Sequence, residues 1–297
     1  MVPMAPRTES PWARFRAEFA ESRLAMAGLA LLVVILALGI LAPVISPQNP
    51  YDLAQLDVMD SRLAPGEKSA DGRTYWLGTD DQGRDMLSGI FYGLRISLGV
   101  GVASTVFALA IGLVFGLVAA YFGGWVDTLI MRVVDIQLSF PAILIALILL
   151  AVLGQGVDKI VIALVTVQWA YYARTVRSSA LVERQKEYVE AARVLALGQA
   201  RIVFRHLLPN CLPPLIVVAT VQVAHAIALE ATLSFLGLGL PITEPSLGLL
   251  ISNGFQYLLS GKYWISFYPG VALLLTIMAI NLVADQLRDI LNPRLRK

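Results

Sequence analysis

The chain has 297 residues, of which 57% are hydrophobic and only 15% are charged. A soluble protein averages about 45–50% apolar and about 25% charged residues and could not bury this excess of apolar surface, so the composition predicts a protein embedded in a membrane. A net charge of +2 gives no electrostatic basis for nucleic-acid binding, and a single cysteine, Cys211, with only two histidines excludes an internal disulfide and a structural Cys/His metal site.

The amino-terminal residues 1–23 are basic and amphipathic. Aromatic and charged residues alternate across Trp12–Met26, which predicts a segment that lies along the cytoplasmic membrane surface. The alternative is a basic tail that only sets the topology. A cleaved secretory signal is disfavoured, because the apolar run that follows is longer than an ordinary signal core and five more apolar stretches come after it.

Apolar stretches predict six transmembrane helices, since a bilayer core about 30 Å thick is crossed by about 20 helical residues. In the first stretch, prolines predict that the helix ends near Ala42, and Pro141 predicts a bend in the third. The fourth reaches the required length only if its helix continues past Arg174 to about Ala180, with Arg174 and Arg177 extending to one interface. The stretches lie at 24–51, 96–126, 136–157, 160–180, 206–229 and 263–284.

Basic residues predict the orientation of these helices. They concentrate before the first stretch, between the fourth and fifth, and after the sixth. The positive-inside rule therefore places both termini and the loop 181–209 in the cytoplasm. The predicted domains are an amphipathic segment at 1–23, a first transmembrane helix at 24–45, an extracytoplasmic loop at 46–93, a core of five helices at 94–292 that includes the cytoplasmic loop 181–209, and a cytoplasmic tail at 293–297.

The loop 181–209 begins with strong helix formers. Glu190 follows Lys186 by four residues and precedes Arg193 by three, which predicts neighbours on one helical face. Gly198 predicts a break before a second short helix that ends at Pro209. Such a loop is either a solvated connector or a docking helix for a cytoplasmic partner. Small residues predict a surface that a partner could approach closely: Ala191, Ala192, Ala196 and Ala200.

Two ionisable residues, His225 and Glu230, fall late in the fifth apolar stretch. Such groups either line a pathway or form a hydrogen bond between helices, and the sequence does not choose between these roles. Gly237 and Gly239, before a proline, predict a break near the outer boundary, as gating segments have where they line a cavity. With Ser234, these residues are the candidates for the pathway or gate.

Signatures of catalysis are absent from the sequence. There is no G-x-x-x-x-G-K-[ST] phosphate-binding loop, no H-E-x-x-H and no G-x-S-x-G. The residues predict a transport or scaffold protein that is not itself an enzyme, and any energy from ATP has to come from another chain.

The loop 181–209 resembles the "EAA" loop of permeases of ABC importers. The chain has Glu190-Ala191-Ala192, with Leu208-Pro209 closing nineteen residues after the glutamate, although the glycine of the family pattern falls on Ala196 and Gly198 comes two residues later. The resemblance implies a coupling helix that inserts into a cleft of an ATPase subunit. The implied coupling residues are Glu187, Glu190, Ala191, Ala192, Arg193, Ala196, Gly198 and Arg201.

Other segments are similar to the C-type permease subunit of dipeptide/oligopeptide ABC importers. They are the outer-loop run LGTDDQGRDMLS at 77–88 with YGLRISL at 92–98, LSFLGLGLP at 233–241, and FYPG, Asn281, DQLRD and Asn292-Pro293 at the carboxyl end. The run at 77–88 lacks the ligand spacing of a calcium loop, and Thr79 or Asp80 is predicted to cap a helix with Asp85 in its first turns. The motif residues are Gly78, Thr79, Asp80, Gly83, Arg84 and Asp85.

The resemblance implies an all-α integral membrane protein with six transmembrane helices and the type I ABC-importer permease fold. It implies a bacterial inner-membrane location and partners: a homologous second permease, two cytoplasmic ATPase subunits that hold ATP and Mg, an extracytoplasmic solute-binding protein and membrane lipid. No cofactor or metal is implied on this chain. The implied substrate is a short peptide, while related permeases carry nickel, glutathione or opine-like solutes. A secondary transporter without an ATPase and a non-transporting membrane scaffold or sensor remain alternatives.

Overall fold

The computed structural model describes residues 10–291, and within that range the chain is helical, with only two isolated β-bridges in the outer loop. Residues 202–207 have π-helical geometry and lead directly into α9. The helices are α1 (Pro11–Glu21), α2 (Arg23–Ile45), α3 (Met86–Phe122), α4 (Gly124–Leu138), α5 (Ala142–Leu153), α6 (Val157–Arg184), α7 (Glu187–Val194), α8 (Gln199–Arg201), α9 (Leu208–Phe235), α10 (Leu247–Phe255) and α11 (Trp264–Leu291).

Four helical segments of the described chain are long and apolar enough to cross a membrane: α2, α3, the continuous run 199–235 and α11. A fifth span is obtained if α4 and α5, which are bent by 88°, count as one broken span. The bend predicted at Pro141 is confirmed, since this residue precedes α5. The predicted number of six is not confirmed, because α6 is long enough but less apolar.

Helix α6 does continue past Arg174, as the fourth apolar stretch required, and ends at Arg184. Arg174 and Arg177, which are predicted to extend to one interface, each pair with a carboxylate. Arg174 Nη2 lies 2.5 Å from Asp135 Oδ1, and Arg177 Nη2 lies 2.6 Å from Asp127 Oδ2. Both carboxylates belong to α4, so paired charges join α4 to α6.

Three helix ends differ from the predicted ones. Helix α2 continues past Ala42, where the prolines predict its end, to Ile45, which is also where the predicted domain 24–45 ends. A proline in the last turn removes one backbone hydrogen bond without closing the helix. Helix α3 begins at Met86, well before the apolar stretch starts at 96, because Asp85 caps it. Helix α9 continues to Phe235 before the glycine-containing segment.

The centre of the bundle is the contact between α3 and α6. It is close because Gly112 and Gly116 have no side chains: a Cβ at Gly112 would lie 2.4 Å from Tyr172 Cβ, and one at Gly116 would lie 2.6 Å from the Ala173 carbonyl oxygen. Helices α9 and α11 pack beside α3, and α2 packs outside α3 and α11.

The amino-terminal helix α1 lies against the bundle by one face. Phe19 is buried and clusters with Ala25, Val283 and Ile290, whereas Trp12 is exposed. This helix covers most of the described part of the predicted 1–23 segment. Residues 1–9 and 292–297, and with them the predicted tail 293–297, lie outside the described residues.

Candidate functional site

The first candidate site is the segment 181–209, called here the coupling segment. It consists of the end of α6, helix α7, the short α8 and the π-helical run into α9. Arg184 Nη1 donates to the carbonyl oxygen of Ala120, 2.9 Å away, which attaches the end of α6 to the end of α3. The segment therefore begins at a point where two long helices are joined.

One face of α7 is buried in the chain itself. Val189 and Ala192, three residues apart, pack with Ile202 and Leu207, and Tyr121 borders the cluster. Because positions three apart share one face of a helix, this contact fixes which side of α7 points away from the bundle.

Seven of the eight predicted coupling residues lie on the exposed side: Glu187, Glu190, Ala191, Arg193, Ala196, Gly198 and Arg201. The eighth, Ala192, is buried, so the predicted surface of four alanines is wrong. Two residues that sequence reasoning missed are exposed instead: Val194 is 86% exposed and Leu195 72%. The signal in the sequence that could have identified them is that two adjacent residues of a charged loop are apolar.

The predicted contact of Glu190 with Lys186 is also absent. Lys186 precedes the first turn of α7, and its ammonium lies 2.6 Å from Glu183 Oε1. No ion pair of Glu190 or Arg193 occurs within residues 10–291. Neither charge is therefore neutralised by an ion pair within the described part of the chain.

The sequence predicts a break at Gly198, but the break after α7 lies at Ala196. Ala196 has a left-handed backbone (φ +53°), while Gly198 has φ −57°. The Leu197 N–H donates to the Ala192 carbonyl oxygen and the Ala196 N–H to that of Arg193, which is the Schellman pattern. The predicted second helix does not end at Pro209, because a proline in the first turn of α9 is compatible with helix.

Tyr188 connects α7 to α9. Its hydroxyl donates to Glu183 Oε2 at 2.7 Å and accepts from Asn210 Nδ2 at 3.2 Å. Burial, followed by the hydrogen bond to Glu183, raises the pKa of Tyr188 to about 12, so the phenol stays protonated as a donor. The coupling segment is thereby fixed to α6 and α9 as well as α3.

The second candidate site is the outer-loop motif, residues 78–85. The predicted cap at Thr79 or Asp80 is wrong: Asp85 caps α3, and its Oδ2 accepts from the Ser88 N–H at 2.9 Å. The hydroxyl of Thr79 instead donates to the Asp60 carbonyl oxygen at 2.5 Å and accepts from the Leu63 N–H at 2.7 Å. Thr79 therefore joins two segments of the outer loop.

Asp80 and Arg84 form the buried centre of the motif. Asp80 Oδ1 accepts from the Gln82 and Arg84 N–H groups, each at 2.9 Å, and Arg84 Nε lies 3.8 Å from Asp80 Oδ2. Arg84 Nη2 donates to the Ile242 carbonyl oxygen at 2.7 Å. Burial raises the pKa of Asp80 to about 6, although Arg84 opposes the rise.

The two glycines of the motif have left-handed backbones, with φ +79° at Gly78 and +77° at Gly83. Two residues outside the motif, missed from the sequence, complete it: Gln48 Oε1 accepts from the Asp85 N–H at 2.6 Å, and Trp264 Nε1 donates to the Thr79 carbonyl oxygen at 3.2 Å. The motif is a compact, hydrogen-bonded unit that joins the outer loop, α3 and the start of α11.

The third candidate set, the residues predicted for the pathway or gate, does not lie in one place. Glu230 is fully buried, and its two oxygens accept from Ser97 and Ser234, both at 2.8 Å. The bond from Ser97 joins α3 to α9, whereas Ser234 lies one turn further along α9 itself. His225 is exposed on another face, 3.1 Å from Gln222 Oε1. The structure therefore brings Glu230 and Ser234 together but leaves His225 apart.

The glycines after α9 adjoin Ser234. Gly237 has φ +79°, and a Cβ at Gly239 would lie 2.2 Å from the Ser234 hydroxyl oxygen. The carbonyl of Gly239 accepts from the Gly156 N–H at 3.3 Å. Within residues 10–291 no three His, Cys, Asp or Glu side chains are placed to hold a metal ion.

Comparison with known proteins agrees with this architecture. Residues 112–297 match the family model of the binding-protein-dependent transport system inner membrane component, and residues 10–65 match the N-terminal TM domain of oligopeptide transport permease C. The dipeptide transport system permease protein DppC of Alkalihalophilus pseudofirmus is 35% identical, over 97% of this chain and 91% of that protein. The di/tripeptide transport system permease protein DppC of Pseudomonas aeruginosa is 36% identical, over 97% and 93%.

A solved structure shares the fold. A chain of the inward-facing MetNI methionine ABC transporter superposes with a TM-score of 0.56 and 23% identity, covering 69% of this chain and 97% of that chain. The predicted all-helical ABC-importer permease fold is thus confirmed apart from the number of spans. The protein belongs to the binding-protein-dependent transport system inner membrane component family, the multi-pass inner-membrane permease subunits of ABC importers.

Proposed function

We propose that this permease imports short peptides and that its coupling segment docks into an ATPase subunit. The observation that carries the proposal is the geometry of α7: Val189 and Ala192 fix one face to the bundle, while Glu190, Val194 and Leu195 project from it. An apolar centre with charged neighbours is the composition of a docking interface. The peptide substrate is supported by the names of the DppC relatives.

The proposed assembly holds this chain, a second permease, two ATPase subunits and an extracytoplasmic binding protein, with both termini of this chain in the cytoplasm. ATP and Mg would bind to the ATPase subunits, which is consistent with the lack of a phosphate-binding loop in this sequence. The chain would supply half of the pathway and no catalytic residue of its own.

The attachments of the coupling segment suggest how force reaches the membrane. Arg184 joins it to α3, and Tyr188 joins it through Asn210 to α9. A partner that pulls α7 would therefore move the ends of α3, α6 and α9 together. Such rigid-body motion is the usual basis of alternating access.

Reversing one exposed charge tests the docking role. Glu190→Lys is expected to lower uptake of labelled alanyl-alanine about tenfold or more, because an unfavourable charge is placed in a desolvated contact. The ATPase subunits should no longer co-purify with the variant, while its amount in the membrane should equal that of the wild type.

Glu21→Lys is the matched control, since it makes the same change at another exposed glutamate, at the end of α1. It should retain uptake and co-purification. Wild-type uptake by Glu190→Lys, or equal loss in both variants, would contradict the assigned role.

A further inference from the structure

Helix α4 presents two different exposed faces. One is polar and consists of Thr128, Arg132, Asp135 and Ser139, spaced by four, three and four residues. The other is apolar and consists of Trp125, Leu129, Val133 and Ile136. Both spacings keep each set on one side of the helix. The third side of α4, which includes Val134 and Leu138, packs against Ala170 and Ala173 of α6.

The polar face of α4 carries charged groups that lipid does not solvate. Helices α4 and α5 are together long and apolar enough for a broken span or a re-entrant segment, and Trp125 near the start of α4 is exposed, as an interface anchor is. Asp135 comes ten residues later, which is about 15 Å along α4 from that anchor. A charged side chain in a segment that enters the membrane faces protein or water and not lipid.

Helix α6 continues this polar surface. Tyr171, Arg174 and Ser178, spaced by three and four residues, are exposed on one side of α6. The pair of Arg174 and Asp135, at 2.5 Å, joins the two helices, and its side chains are still 51% and 60% exposed. The described part of this chain thus leaves the pair largely uncovered.

Arg132 adds an unpaired cation to the same surface. It is exposed and takes part in none of the ion pairs within residues 10–291. An arginine and an aspartate on one wall could bind the carboxylate and the ammonium of a solute that carries both charges. Charged groups are unfavourable on a surface that faces lipid. The apolar face of α4, in contrast, has the composition of a lipid-facing surface.

We propose that the polar face of α4 and the polar side of α6, called here the polar wall, line the water-filled pathway, with Arg132 and the Asp135–Arg174 pair facing a zwitterionic solute. The apolar face of α4 then faces lipid. This inference rests on the proposed peptide import and adds to it the residues along which the peptide would move. It also replaces His225 and Glu230 as the residues with which the solute makes its charged contacts.

Cysteine labelling of the assembled transporter tests the two faces of α4. In a Cys211→Ala background, Thr128→Cys and Ser139→Cys place a thiol on the polar wall, and Leu129→Cys and Ile136→Cys place one on the apolar face at similar depths. The complex is held in lipid nanodiscs, where a charged methanethiosulfonate reaches both sides. Because the thiolate is the reactive form and forms only in water, the polar-wall cysteines should be labelled about tenfold faster or more.

Equal labelling of the two faces would overturn the inference, and so would unlabelled cysteines at 128 and 139, which would mean that a second protein chain covers the wall. The readout does not require uptake, so loss of alanyl-alanine uptake by the wild-type complex would refute peptide import while leaving the labelling result intact. The two failures are therefore distinguishable.

The solute contact has its own test. Arg132→Gln keeps the wall polar but removes the unpaired cation, and it is expected to reduce the initial rate of alanyl-alanine uptake several-fold. Labelling of Ser139→Cys in the same variant should be unchanged, which shows that the wall is intact. An uptake rate equal to that of the wild type would overturn the role of Arg132.

Discussion

The outer-loop motif and the coupling segment both carry the resemblance to peptide permeases, yet their side chains are in opposite environments. In the outer loop, Thr79, Asp80, Arg84 and Asp85 are all buried and bonded within the chain. In the coupling segment most motif residues are exposed, and Glu190 has no ion pair among the described residues. A motif in the sequence can thus mark either a buried, internally bonded unit or an exposed surface that is available to a partner.

The difference predicts two kinds of defect. Changes in the outer-loop motif should lower the stability of the chain itself, since they break buried hydrogen bonds and close backbone contacts. Changes on the exposed side of α7 should leave stability nearly unchanged and act on assembly. Thermal unfolding of variants in the two regions distinguishes these defects.

The largest effect is expected at Gly83. Its backbone has φ +77°, and a Cβ there would lie 2.1 Å from the carbonyl oxygen of Asp57. Gly83→Ala therefore forces the loop apart and should destabilise the protein by about 3 kcal/mol or more, a combination of overpacking and left-handed strain. The measurement is the thermal unfolding midpoint of the purified complex, together with its yield in the membrane.

Gly72→Ala is the matched control. Gly72 has nearly the same backbone, φ +79°, but nothing lies within 4 Å of its missing Cβ. Only the left-handed strain remains, which is about 1 kcal/mol. Equal effects of the two substitutions would mean that the close packing of the outer-loop motif contributes nothing.

Sequence reasoning identifies the long apolar helices because length and composition alone determine them. The bend at Pro141 and the continuation of α6 past Arg174 follow from local chemistry in the same way. Sequence reasoning fails where several groups of similar local preference compete. Thr79, Asp80 and Asp85 can each cap a helix. The fold of the outer loop leaves the role to Asp85, because the side chains of Thr79 and Asp80 are already bonded within the loop.

Contacts between distant segments are beyond a single sequence. Nothing local to Arg174 indicates Asp135, 39 residues away, because the pairing depends on the packing of α4 on α6. The alanines of the coupling segment illustrate the same limit. Their spacing suggested one surface, but Ala192 is turned inward by the contact of α7 with residues 202 and 207.

A smaller effect is expected from the titration of Asp80. Its pKa is raised from 3.8 to about 6 by burial, so in the interval between these values the folded state binds more protons than the unfolded state. The contribution of Asp80 to stability is therefore fully present below the lower value and declines as pH rises through about 6. The thermal unfolding midpoint of the complex should fall over this interval for this reason.

Asp80→Asn isolates that contribution, because an amide does not titrate and its oxygen can still accept from the Gln82 and Arg84 N–H groups. The difference in unfolding midpoint between wild type and variant should change with pH, in favour of the wild type at the acidic end. A difference that is constant with pH would show that burial does not perturb Asp80.

The smallest effect is expected at Ala196, and it has the opposite sign. This alanine has φ +53° at the C′ position of α7, where glycine is strain-free, so Ala196→Gly should stabilise the protein by about 1 kcal/mol or less after the entropy gained by the unfolded chain is subtracted. Ala200→Gly is the control: it lies within the helical turn of α8, and glycine there should destabilise by about 1 kcal/mol. Both residues are exposed, so neither change alters a buried contact, and thermal unfolding of the two variants compares only the backbone. If Ala196→Gly instead lowers the unfolding midpoint, the turn that orients Glu190 and Leu195 does not have the left-handed geometry on which the open surface of α7 depends.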